Sequence, residues 1–316
     1  MYNSARNALR RPAYDPERIP VEPELYWIES VITPFTRTKG GVYDMANRRW
    51  YDVAVERVVT EEDWFVRELR KHLPSIPNQH LNVISIDENG EATFSFKSDI
   101  SRSIWDMAPY DGPLHKTTLN TISERKYLSG LVDTCEWEGR KVAYKCIEFP
   151  GDVQSTFREI QVRETLDPDF TGVAPILAVV VDPKTQWVDG IILPLYDTDM
   201  ESLANNPSAR LRIEDLHRLI QTISHLNDLG IIHGDICERN VVINLSSDCT
   251  SQEIALVDFG EVAPYYPGDL EMAAQLLGWC ADHFTWTEGE KTKLVTAATR
   301  IREGDCANAL DILAST

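Results

Sequence analysis

The chain has 316 residues, 43% of them hydrophobic and 26% charged, with 50 Asp+Glu against 31 Lys+Arg and a formal net charge of −19. This supports one large or two small globular domains with a sizeable core, and excludes a fibre or a disordered chain. Tracking a phosphate backbone requires surplus cations that release counterions, whereas carboxylates are in excess along this chain, so no nucleic-acid partner is expected.

The six cysteines are far apart, with no Cys-x-x-Cys pair and no histidine at metal-ligand spacing. They read as reduced thiols of an intracellular protein, expected in the cytoplasm with the nucleus as the other compartment. The longest apolar run, residues 173–181, is about half of the roughly 18 residues of a membrane span, so no span is expected.

The first 14 residues hold Arg6, Arg10 and Arg11 and no acid. A transit peptide fits this, but Pro12 and the low apolar content favour a frayed tail over residues 1–22. Residues 23–115 read as a small α+β extension without recognisable chemistry. Thr60 and the acids after it predict a capped helix carrying Trp64, Phe65, Val66, Leu69 and Leu73, ending near Pro74. Asp87-Glu88-Asn89-Gly90, between the runs 81–86 and 92–96, predicts a hairpin.

From residue 116 the pattern changes. A turn at Trp137-Glu138-Gly139-Arg140 leads to Val142-Ala143-Tyr144-Lys145-Cys146-Ile147, an apolar strand carrying one lysine. A helix over about 154–166, strands over 174–181 and 190–195, and a helix carrying Ile213, Leu216, Leu219, Ile220, Ile223 and Leu226 up to Gly230 follow. A β-rich part over about 121–196 thus precedes a helical part over about 197–316.

After that helix comes His233-Gly234-Asp235-Ile236-Cys237-Glu238-Arg239-Asn240, and eighteen residues beyond Asn240 comes Asp258-Phe259-Gly260 behind an apolar run. An acid and an amide on one loop, with a second acid ending the next strand, suit a metal and a phosphate, because Mg²⁺ prefers carboxylate and amide oxygens. Here the chain resembles the protein-kinase-like superfamily, in an atypical form. His233-x-Asp235-x-x-x-x-Asn240 is similar to the catalytic loop and Asp258-Phe259-Gly260 to the metal-binding triplet. Val142-Ala143-Tyr144-Lys145 resembles the strand of the phosphate-reaching lysine, and Phe157-Arg158-Glu159-Ile160 the helix whose glutamate pairs it. Glu164 competes with Glu159 for that role; the family pattern favours Glu159.

The resemblance implies an α+β, two-lobed protein-kinase-like fold, with a β-rich N-lobe and a helical C-lobe, behind the N-terminal extension. It also implies ATP and Mg²⁺. Asp235 would orient the acceptor hydroxyl and take its proton, and Asn240 and Asp258 would hold the metal. Lys145 and Glu159, with Gly130 and Val132 of the glycine-rich loop, would serve the nucleotide, and Leu193 and Leu195 of the hinge would face adenine.

Several residues depart from the pattern. The loop at residues 127–132 keeps one glycine, Gly130. Gly234 replaces the arginine of many regulated kinases, so control by activation-loop phosphorylation is not expected. Cys237 stands where a phosphate-neutralising lysine is usual; Arg239 either supplies that charge or forms a surface salt bridge. Asp197, Asp199 and Glu201 either rim the cleft and favour a cationic acceptor or belong to a solvated loop. Only eight residues, 261–268, separate the triplet from the helix expected at Asp269, so the usual peptide platform is cut short.

The expected function is transfer of the γ-phosphate of ATP to a hydroxyl, on a protein or on a small molecule. The alternative is a pseudokinase serving as a binding or scaffold module.

Overall fold

The computed structural model describes residues 9–10, 20–33, 37–77, 81–97, 103–104, 108–260, 262 and 265–315. Most of the expected tail lies outside them. The chain divides into two compact units, one of residues 1–111, 116–153 and 178–192, the other of residues 112–115, 154–177 and 193–316. Strands dominate the first and helices the second, a mixed α+β composition compatible with a two-lobed kinase-like fold.

The first unit begins with β1 (Leu9–Arg10), β2 (Leu25–Thr33), β3 (Arg37–Asp44), β4 (Arg49–Val55), α1 (Glu62–His72), β5 (Val83–Ile86), β6 (Ala92–Ser95) and β7 (Ser103–Ile104). Strands β1 and β7 pair with each other. The others form a sheet of order β2-β3-β4-β5-β6, antiparallel except for the parallel pair β4 and β5, which α1 connects.

Helix α1 buries Trp64, Phe65 and Leu69 against Val42, Tyr51, Val53 and Ile84 of this sheet. Gly40 is required there, since a Cβ on it would lie 2.4 Å from the Phe65 ring. The helix starts one residue later than its sequence pattern predicts: Glu61 occupies the N-cap position and makes no side-chain cap. The predicted hairpin is present as β5 and β6, with the Asp87 carboxylate accepting the amides of Asn89 and Glu91 at 2.9 Å each.

The same unit continues through β8 (Lys116–Thr117), β9 (Ile122–Ser129), β10 (Val132–Trp137) and β11 (Arg140–Cys146). After α2 (Pro150–Thr165) come β12 (Ala178–Val181) and β13 (Val188–Pro194). The second sheet has the order β8-β12-β13-β11-β10-β9. Helix α2 starts four residues earlier than predicted, because Pro150 suits a first helical position and the Asp152 carboxylate accepts the amides of Glu148 and Phe149 at 2.8 and 2.6 Å. Strand β12 is shorter than its apolar run; upstream of it, Val173 belongs to the second unit and makes an isolated bridge to Leu256 of that same unit.

Register assigns the faces of the second sheet. Val132 pairs with Lys145 and Thr134 with Ala143, while Asp133 pairs with Tyr144 and Cys135 with Val142. Because side chains alternate, Lys145 and Val132 share one face, and Asp133, Tyr144, Cys135 and Cys146 share the other.

In the second unit the elements are β14 (Thr198–Asp199), α3 (Met200–Ala204), α4 (Ile213–Asp228), β15 (Val241–Leu245), β16 (Ser251–Leu256), α5 (Asp269–His283), α6 (Glu288–Arg302) and α7 (Cys306–Ala314). The apolar face of α4 (Leu216, Leu219, Ile220 and Ile223) joins Leu256, Phe259, Leu276, Leu277 and Leu294 in one core. Asp215, fully buried at the start of α4, receives both arms of Arg212 at 2.9 and 3.0 Å, together with Arg218 and the Ser251 hydroxyl. It laces α4 to β16.

Candidate active site

The loop before β15 is held to the end of β16 by backbone and imidazole hydrogen bonds. His233 is fully buried; its Nε2–H donates to the Val257 carbonyl at 3.0 Å and its Nδ1 accepts the Asp235 amide at 3.3 Å. Accepting at Nδ1 requires the neutral ring, and burial pushes its pKa below the usual imidazole range. The ring also packs on Phe259, with centroids 4.4 Å apart. The His233 ring is therefore engaged within the fold on both nitrogens and on its face.

The Val257 amide donates to the Asn240 carbonyl at 3.0 Å, so the loop and the strand end are tied twice. Asn240 Nδ2 donates to the Asp235 carbonyl at 2.8 Å and to Asp235 Oδ2 at 2.9 Å. This arrangement orients the Asp235 carboxylate through one of its two oxygens. Asn240 Oδ1 remains as a hard oxygen donor, and Asp258, at φ +65°, supplies a carboxylate at the adjoining turn. An amide oxygen and one carboxylate suit Mg²⁺, which keeps several waters and phosphate oxygens of its own. Among the described residues, no group of three or more His, Cys, Asp or Glu side chains is placed to hold a metal ion.

Asp269, in sequence a plain helix start, accepts the amides of His233 at 2.7 Å and Gly234 at 2.9 Å on its carboxylate, and it is buried. Tyr266 Oη accepts the Asp269 amide at 3.0 Å. An acid at the first turn of a buried helix was the only available signal.

Gly234 also acquires a local reason. Its φ is +91°, and a Cβ there would lie 2.8 Å from Val262, in the short segment that follows the triplet. Gly260 is constrained by space alone, since its Cβ would lie 1.8 Å from the Ser155 hydroxyl.

Glu159 is buried on α2 and lines one small cavity with Leu193, Asp258 and Phe259. Leu195 lies just past β13 and is half-buried, and Arg239 is exposed on a short 3₁₀ turn, Glu238–Asn240. In the first unit, Lys145 is half-buried on β11 beside Val132, and Gly130 holds φ +46° in the turn between β9 and β10.

Asp197 accepts the Leu245 amide at 2.8 Å, and Asp199 caps α3 through the Ser202 amide at 2.8 Å. These two carboxylates have structural partners. A separate cavity of about 790 Å³ lies between α4 and the chain after α2; its Arg163 donates to the Asp167 and Pro168 carbonyls and its Arg218 pairs with Asp215.

No family model matches the chain. A probable casein kinase II subunit alpha homologue from Encephalitozoon cuniculi (strain GB-M1) is 25% identical over 135 residues, which are 42% of this chain. The chain spans about 40% of that relative's length. This similarity supports a protein-kinase-like relationship and goes no further. No helix among the described residues is long and apolar enough to cross a membrane.

Proposed function

We propose that the protein is an ATP- and Mg²⁺-dependent phosphotransferase acting on a hydroxyl group. The supporting observation is the Asn240 amide that bridges the carbonyl and carboxylate of Asp235 on a loop tied to the strand leading into Asp258. One Asp235 oxygen is held by Asn240, and the other accepts the proton of the acceptor hydroxyl as its oxygen attacks the γ-phosphorus and the bond from that phosphorus to the β–γ bridging oxygen breaks, with ADP as the leaving group. Asn240 Oδ1 and the Asp258 carboxylate would hold Mg²⁺, which would neutralise charge on the phosphate oxygens. By the sequence resemblance, Lys145 serves the phosphates, Glu159 positions Lys145, and Gly130, Val132, Leu193 and Leu195 serve the nucleotide. Arg239, exposed beside Asn240, is the residue suited to meet the transferring phosphoryl group.

The acceptor belongs to the hydroxyl class, a protein Ser/Thr or a small molecule; the eight-residue segment 261–268 favours the second. The alternative reading, a pseudokinase, draws support from the Gly130 amide, which donates to Tyr127 Oη at 3.0 Å. Thermal unfolding with ATP and Mg²⁺, comparing the native chain with Asp258→Asn, separates the two. The enzyme reading expects stabilisation of the native chain only and ATP turnover abolished by Asp235→Asn. Absence of both stabilisation and turnover refutes it.

A further inference from the structure

The sequence leaves the N-terminal sheet without a role, yet it reaches the one remnant of the glycine-rich loop. Arg48, in the turn between β3 and β4, is 4% exposed. Its Nη1 donates to the Gly130 carbonyl at 2.7 Å and its Nη2 to Asp133 at 3.3 Å. Asp133 is buried and also receives Arg125 at 3.3 Å.

The Gly130 amide donates to Tyr127 Oη at 3.0 Å, and Tyr127 in turn donates to Glu24, just before β2. Both polar groups of Gly130 are therefore engaged, one directly and one through Tyr127, by residues outside its own sheet. Arg48 itself sits at φ +50°, a conformation that a residue with a Cβ rarely adopts, so the turn is shaped to deliver this guanidinium.

Register places the clamp on the far side of the sheet from the lysine. Asp133 faces with Tyr144, and Val132 faces with Lys145. Arg48 therefore reaches the turn from the face that carries Asp133.

We propose that Arg48 is a positioning residue for nucleotide binding, holding the β9–β10 turn in a single shape in place of the two glycines that the loop lacks. The proposal rests on the phosphotransferase reading. Gly130 then contributes the shape of the turn, since its amide is already given to Tyr127. A loop fixed in advance loses less freedom on binding, so removal of the clamp raises the KM for ATP more than it lowers kcat.

The test compares the full-length native chain with Arg48→Met, Arg48→Lys and Tyr127→Phe. The readouts are the KM and kcat for ATP, ATP affinity by calorimetry, and amide hydrogen exchange over residues 127–132. Arg48→Met is expected to raise the KM about tenfold, leave kcat within threefold and abolish exchange protection at the turn. Arg48→Lys, which can still reach the Gly130 carbonyl, restores part of both. Tyr127→Phe buries no unpaired charge and folds even if Arg48→Met does not; it is expected to speed exchange at Gly130 and raise the KM severalfold.

Unchanged ATP affinity and unchanged turn protection in a folded variant, with affinity lost in Lys145→Met, would overturn the clamp and leave the parent reading standing. If the native chain binds no ATP, the parent reading falls and the nucleotide role of Arg48 falls with it.

Discussion

His233 and Gly234 show how single residues set the loop that carries Asp235. A buried neutral histidine with a depressed pKa contributes stability above the pKa of its unfolded form, about 6.5, and that contribution is lost as pH falls below it, because only the unfolded chain then takes the proton. Melting temperature should fall between pH 7 and 5. In His233→Phe, which keeps the ring contact with Phe259 but leaves the Val257 carbonyl without its donor, this slope should shrink, with an offset of about 1–3 kcal/mol at pH 7.

Gly234→Ala has to accept φ +91° and a contact of 2.8 Å with Val262. A loss of about 1–3 kcal/mol is expected by chemical denaturation, part of it recovered by Val262→Ala, since the shorter side chain removes the 2.8 Å contact but leaves the residue 262 Cα at 3.0 Å and the backbone strain. Full recovery would show that the backbone conformation contributes nothing.

At the scale of elements, the tie between α4 and β16 is a buried charge with several donors. Burial would raise the Asp215 pKa, but the hydrogen bonds of Arg212, Ser251 and Arg218 outweigh it and hold the carboxyl below its usual range. Its contribution is present above the unfolded value of about 3.9 and is lost as pH falls through the lower folded value. Asp215→Asn should destabilise by about 2–3 kcal/mol at neutral pH, discounted because both arginines are half in water, and the gap from the native chain should close below about pH 4. A gap independent of pH would assign the effect to packing.

Strand β13 offers a second case. Gly190 admits the Lys145 carbonyl, which would lie 2.2 Å from a Cβ on residue 190, so Gly190→Ala displaces the strand that carries Lys145. The ATP affinity should drop together with the melting temperature.

For the whole molecule, the charge of −19 opposes an anionic nucleotide at long range. The Debye length shortens from about 30 Å at 0.01 M salt to about 8 Å at 0.15 M. Association of ATP, followed by stopped flow, should therefore quicken over that range; slowing would mean that local cations govern the encounter.

Much of this was legible in advance. The spacing of Asp235, Asn240 and Asp258, the hairpin at Asp87 to Gly90 and the helix over Ile213–Asp228 are short-range patterns, in which turn chemistry and helical periodicity act among near neighbours. The contacts of Asp269 and Arg48 were not legible. Their partners lie 36 residues away at His233 and 82 residues away at Gly130, and no local periodicity encodes a carboxylate or guanidinium that satisfies a distant backbone group.

The sequence by itself determined the change from a β-rich to a helical part, the spacing of Asp235, Asn240 and Asp258, and the brevity of the segment after Asp258. Tertiary structure alone decided that the N-terminal sheet grips the Gly130 turn, that Gly234 is demanded by Val262, and that Asp269 anchors the Asp235 loop. The physical reason is that local propensity acts over a few residues, whereas a buried polar group must find its partner wherever the folded chain brings one.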